Sequence, residues 1–209
     1  MPTRRKPPDE PVPKPRITVA ERRRQILAAA RSQFRSRGYA EATLEAVAGV
    51  VGVKLANVLK HYPAKTDLFA GLYEEFHAAA FTPPEDGPGA DSLPFWLGLP
   101  ARFDKVARTY RDVVGLVLEG LAENRDANLV AAIGTGLSRT ADALVELIRT
   151  GQAAGVVRRV DPTRTAWEWV RWLFGGLLLK PADAEPAPDE DLPPQPADCL
   201  LHGLLKTDV

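Results

Sequence analysis

Three histidines, His61, His77 and His202, and a single cysteine, Cys199, are the residues from which a metal centre or a covalent nucleophile could be built. Neither chemistry finds its spacing: no second or third ligand stands at metal distance from any histidine, and no serine or cysteine sits in a nucleophile motif. Glycine-rich phosphate loops are absent, and Gly134 and Gly136 fall inside a predicted helix, where they favour close packing or room for a ligand over nucleotide binding. The side chains that do offer chemistry are cations and amides crowded into the first third: Arg22, Arg23, Arg24, Lys54, Asn57, Lys60, His61 and Lys65. Guanidinium, ammonium and amide groups bind phosphate oxygens and base edges. No catalysis, metal or cofactor is expected.

The charge is divided in the same way. Residues 1–65 hold 14 Lys and Arg against 5 Asp and Glu, a net of +9; residues 66–209 hold 13 against 22, a net of −9. A basic first third suits a polyanion, and an acidic remainder is repelled from it, so the two parts face different partners. The lone cysteine excludes an internal disulfide, no secretory leader is legible at the basic, proline-rich start, and no span approaches the roughly 20 apolar residues of a membrane helix. A cytoplasmic protein with no membrane partner is expected.

The cations are positioned by the stretch 44–62, LEAVAGVVGVKLANVLKHY. Leu44, Val47, Ala48 and Val51 form one apolar stripe on a short helix that starts after Thr43, a good N-cap. Val58 and Tyr62, widened by Leu55 and Leu59, form the stripe of a second helix that runs until Pro63. Gly52 between them can take a positive φ and join the two by a very short turn. That is a helix-turn-helix pattern, in which the second helix enters the major groove of DNA while the first braces it.

The surroundings sharpen the pattern. Upstream run residues 26–30 (ILAAA), Phe34, Gly38-Tyr39 and Thr43, and downstream residues 61–68 (HYPAKTDL). Over residues 22–73 this resembles the N-terminal domain of the TetR (tetracycline-repressor) family of bacterial transcriptional regulators. The resemblance implies an all-α fold: an N-terminal three-helix helix-turn-helix DNA-binding domain over residues 18–65 and a larger helical regulatory and dimerisation domain over residues 66–209. It implies a homodimeric, sequence-specific regulator, expected to be a repressor, that binds an inverted-repeat operator in double-stranded DNA and is released by a small-molecule ligand. Departures are visible. Lys54 stands where the family usually has a capping Ser, Asn57 where Thr or Ser is common, and Leu59 where a Tyr reaches a phosphate. They leave a second reading open, a helical small-molecule-binding dimer that has lost its DNA.

The candidate DNA-binding residues are Lys54, Leu55, Ala56, Asn57, Lys60, His61, Lys65, Thr43, Arg22 and Arg23. Asn57 can offer an amide to adenine and Lys60 can donate to guanine, whereas Lys54, His61 and Lys65 are placed like phosphate ligands. Residues 1–17, with six prolines and a basic arm, cannot bury a core. Thr18 followed by Glu21 reads as a capping box for a helix closed by Gly38.

Lys65-Thr66-Asp67 opens a fourth helix with Thr66 or its neighbour as cap, long enough to join two units and ended by Pro83-Pro84. A loop runs to Pro94. Helical periodicity then returns over residues 96–110, 113–121, 129–153 and 167–179, with Asp161-Pro162 as the last start signal. In the helix 163–179, Arg164, Glu168 and Arg171 form one narrow polar stripe and nearly all the rest is apolar. Two buried surfaces are expected, with Trp167 and Phe174 inside and Trp169 and Trp172 outside. In the resembling family this helix and the last one form the dimer interface, here assigned to Trp169, Trp172, Leu173, Gly176, Leu200 and Leu204. The last helix, 197–206, is short and follows a proline-rich acidic insertion at 181–196. Candidate pocket residues are Phe81, Phe103, Tyr110, Trp167 and Phe174, which suit an unidentified small apolar or aromatic effector.

Overall fold

The computed structural model describes residues 17–83, 85–123, 126–179 and 204–205. The arm before Ile17, the insertion at 181–196, Leu200 and most of the expected last helix lie outside the described residues, as do the surroundings of Gly176. Among the described residues eight helices follow one another: α1 (Val19–Glu41), α2 (Leu44–Val51), α3 (Leu55–His61), α4 (Lys65–Phe81), α5 (Leu93–Thr109), α6 (Arg111–Glu123), α7 (Ala127–Ala153) and α8 (Pro162–Leu179). The only pairing of extended backbone among the described residues is an isolated bridge between Val157 and Leu205. The fold is all-α.

Local chemistry sets most boundaries. The Thr18 hydroxyl accepts from Glu21 N at 3.1 Å, and Gly38, at φ 74° and ψ 170°, breaks the helical path of α1 before its last turn. The reciprocal half of the expected capping box is missing, because the Glu21 carboxylate pairs with Arg24 and accepts from Gln25. The cap of α4 is Ala64 and not Thr66. Alanine has no capping oxygen, so Asp67 reaches back to accept from Ala64 N at 2.8 Å. Asp126 caps α7 and Asp161 caps α8 in the ordinary way, accepting from Leu129 N and Arg164 N respectively. The loop before α5 ends two residues early, since α5 starts at Leu93 with Pro94 in its first turn.

The helices α1, α2 and α3 form a head, and α5 to α8 form a body; α4 packs against both. Leu68, Phe69, Leu72, Tyr73, Phe76, Ala80 and Phe81 are all buried on α4. Gly71 and Gly136 bring its neighbours close. A Cβ on Gly71 would stand 2.8 Å from the Leu27 side chain on α1, and one on Gly136 2.8 Å from the Tyr73 ring. The Tyr73 hydroxyl shares a buried hydrogen bond of 2.8 Å with Thr140, the one fully buried polar side chain of α7.

The expected division of α8 into an inner and an outer surface does not hold. Trp169, Val170, Leu173 and Phe174 are all buried within the protomer, and the Trp169 ring meets Trp96 of α5 at 6.5 Å, edge to face. Both α6 and α7 pack against α8, so one broad face covers what two were expected to share. Trp167 and Trp172 stand half-buried at its two rims. Leu204 is buried too, with its carbonyl accepting from Arg158 N at 3.0 Å in the turn between α7 and α8.

A second tie joins head to body. Arg31 of α1 forms a fork with Asp112 in the first turn of α6, at 2.6 and 2.7 Å, donates to the Thr109 carbonyl and lies 4.8 Å over the Tyr110 ring. Burial pushes the Asp112 carboxyl up, but the hydrogen bonds and charge of Arg31, with backbone N–H groups, outweigh it and hold it below its ordinary value. The folded value therefore lies below the unfolded one, so the stabilisation is complete above about pH 5 and fades as pH falls through the folded value. Asp112→Asn should cost about 1–2 kcal/mol at neutral pH, discounted for partial solvent screening. Urea midpoints of the two proteins should converge as pH falls below about pH 5; a gap that stays constant would show that the charge contributes nothing.

Candidate nucleic-acid interface

The turn between α2 and α3 is built as its sequence requires. The Thr43 hydroxyl accepts from Ala46 N at 3.1 Å, and α2 ends on Gly52 at φ 74°, ψ 34°, a left-handed conformation that places its N–H on the carbonyls of Ala48 and Gly49. Val53 N closes the turn onto Ala48 O at 3.0 Å. Lys54 is then the N-cap of α3, and its side chain makes no capping bond.

On α3, Val58 and Tyr62 are buried to 0% and 2% exposure and pin the helix to the core. Ala56, Asn57, Leu59 and Lys60 are exposed, as is Lys54, while Leu55 and His61 are half-buried. The structure thus brings Lys54, Ala56, Asn57 and Lys60 onto one open surface, which can offer hydrogen-bond donors and apolar contacts to a groove. Arg23, exposed on α1, donates to the His61 carbonyl at 3.2 Å and lies 4.5 Å over the Tyr62 ring, while Arg22 donates to Gln25 at 3.0 Å. Arg23 keeps most of its five N–H donors for an external partner.

Lys65 departs from the expectation of a phosphate ligand. Its ammonium donates to the carbonyls of Tyr39 at 2.7 Å and Ala40 at 3.1 Å, and lies 4.4 Å from the centroid of the Tyr39 ring. Those carbonyls end α1 just beyond the break at Gly38 and have no helical partner, so a cation there completes the helix end. Burial lowers the Lys65 pKa below its ordinary value. Below this surface an open groove of about 440 Å³ separates head from body, lined among others by Arg23, Tyr62, Glu74 and Arg139, with the last two paired across it.

In the body, Phe103, Tyr110 and Phe174 meet Phe76 at 6.4, 6.0 and 6.4 Å, and Phe81 meets Phe103 at 6.2 Å. Four of the five expected pocket residues therefore gather around Phe76 of α4. Trp167 makes none of these ring contacts and stands at the rim of α8. Arg31 and Asp112 were missed as well, because they are 81 residues apart and no local pattern links them.

The family model of the bacterial regulatory proteins, tetR family, matches residues 26–72, from the middle of α1 to the middle of α4. Over these residues the head carries the tetR-family pattern. Its whole fold is similar to solved structures of low sequence identity. The SmeT–triclosan complex is 18% identical, with a TM-score of 0.59 over 90% of this chain and 93% of that one. GusR of Salmonella enterica is 23% identical, with a TM-score of 0.58 over 77% and 84%. AibR in complex with isovaleryl coenzyme A and operator DNA is 18% identical, with a TM-score of 0.52 over 88% and 95%. No curated protein matches the chain. Among the described residues no helix is long and apolar enough to cross a membrane.

For this tetR-family head, the internal role of Lys65 has a measurable consequence. Lys65→Ala should lower stability by about 1–2 kcal/mol, read by urea denaturation, since two carbonyls lose a charged donor. An unchanged midpoint would show that water replaces the ammonium at no cost.

Proposed function

We propose that the protein is a homodimeric repressor that binds an inverted-repeat operator through α3 and leaves it when a small apolar or aromatic ligand occupies the body. The observation that carries the reading is the surface of α3: a helix held by Val58 and Tyr62 that turns Lys54, Asn57 and Lys60 outward on a head of net positive charge. Asn57 offers a bidentate amide to adenine, Lys60 a donor to guanine, and Lys54, Arg23 and Arg22 donors to phosphates on either side. Thr43, exposed at the start of α2, and His61, half-buried at the end of α3, complete the proposed contact set. AibR, similar in fold, is known with both operator DNA and isovaleryl coenzyme A, and SmeT with triclosan; the aromatic cluster around Phe76 supports a comparable effector here. Such a ligand must weaken DNA binding by the same factor by which DNA weakens its own.

Two reading heads joined by a two-fold axis would place their α3 helices about 34 Å apart, one turn of DNA. Selection from random duplexes should therefore enrich an inverted repeat, and failure to enrich any sequence would favour a ligand-binding dimer without DNA. Once an operator is in hand, Lys54→Ala should reduce the salt slope of binding by about one unit, while Lys65→Ala should leave the slope unchanged. A lower slope for Lys65→Ala would return that residue to the phosphate ligands.

The half-buried Trp172 at the rim of α8 is the best remaining candidate for the dimer seam. Trp172→Glu should sediment as a folded monomer at micromolar concentration, whereas Trp169→Glu, which buries a charge against Trp96, should fail to fold. A dimeric Trp172→Glu would place the seam elsewhere.

A further inference from the structure

The surface of α3 has two chemically different flanks. With 100° between residues, Lys60 points straight away from Val58 and Tyr62; Asn57 and His61 lie to one side of it, and Ala56, Leu59 and Leu55 to the other. The first flank is polar and the second is apolar. Leu59 is 38% exposed, the only large apolar side chain of α3 so exposed among the described residues. The core does not need it, since Val58 and Tyr62 already fill the space beneath the helix. A single exposed leucine needs no explanation. Three apolar residues on one flank of a seven-residue helix, with Lys54 and Lys60 on the same helix and its cap, make a surface suited to a partner that is anionic at its edges and carries apolar groups within.

The major groove of DNA has that character. Its walls are phosphates, and the one apolar group on its floor is the 5-methyl of thymine. We infer that Ala56 and Leu59 read thymine methyl groups, so that each half-site of the operator carries thymine beside the base pair addressed by Asn57. The inference rests on the proposed DNA binding and adds to it which base the apolar flank selects. A leucine has no polar atom, so its contact with DNA is apolar, to a thymine methyl or to a deoxyribose, and only the first depends on the base.

Deoxyuridine tests this without altering any hydrogen-bonding group, because it differs from thymidine only by the missing methyl. The operator recovered by selection is resynthesised with each half-site thymine replaced in turn, symmetrically, and the affinity of the full-length protein is measured by gel shift. At one or two positions the loss should be roughly fourfold per half-site, the worth of one buried methyl, and hence roughly 16-fold for the symmetric duplex. Leu59→Ala, shown by its urea midpoint to be folded, should lose most of that penalty at one of the positions, and Ala56→Ser at the other if there are two. The inference is overturned if the operator binds but every deoxyuridine is tolerated within twofold, if the half-sites lack thymine, or if both variants keep the wild-type penalty. Failure to recover any operator would instead remove the DNA-binding reading, and this inference with it.

Discussion

A run of aromatic rings through α4 holds the molecule together. Phe34 meets Tyr39 at 5.4 Å, Tyr39 meets Phe69 at 6.5 Å, Phe69 meets Tyr73 at 6.3 Å, Tyr73 meets Phe76 at 5.7 Å, and Phe76 meets Phe174 at 6.4 Å. The chain of contacts begins in α1 and ends in α8 with every ring fully or nearly buried. Each edge-to-face or tilted pair contributes about 0.5–1.5 kcal/mol beyond the area it buries. More important is the geometry. Head and body share one core through α4, so neither can be displaced without disturbing rings that are packed on both sides.

That constraint defines how occupancy of the body could be felt at α3. The Phe76 ring touches Phe103, Tyr110 and Phe174, and the other face of the story is Arg31, which rests on Tyr110 while its fork grips Asp112. Tyr110 thus lies between the aromatic cluster and a cation that belongs to the head. A body rearranged around Phe76 acts on the head along α4, and one that moves Tyr110 acts through Arg31. Gly71 and Gly136 make the first route stiff, because the side chains of Leu27 and Tyr73 already occupy the space where a Cβ would go.

Sequence reasoning found what is local. The 3.6-residue periodicity placed the eight helices of the described residues, and Thr18, Thr43, Gly52 and Asp161 act where their types predict. The exposure of Ala56, Asn57 and Lys60 followed from the buried pair Val58 and Tyr62. What it could not find depends on residues distant in the chain. Lys65 lies 26 and 25 residues from the carbonyls it caps, and a lysine opening a helix beside a basic motif reads as a phosphate ligand until those carbonyls are seen. Trp169 failed for a related reason: periodicity gives the width of an apolar face but not how many neighbours share it, and α6 and α7 together cover more of α8 than one helix could.

The same distinction bears on α3 itself. A seven-residue helix without a side-chain cap is far too short to persist alone, so its orientation is owed to packing. Val58 and Tyr62 fix it from beneath, and Arg23 fixes its far end, by stacking on Tyr62 and by donating to the His61 carbonyl, an acceptor left open at the end of the helix. The aromatic ring thereby holds a cation on one face of the head while its own burial holds the helix in place. Arg23 is then a positioning residue for α3 as much as a donor to any external anion, and the accuracy with which Asn57, Lys60 and Leu59 are presented depends on a contact made 38 residues earlier in the chain.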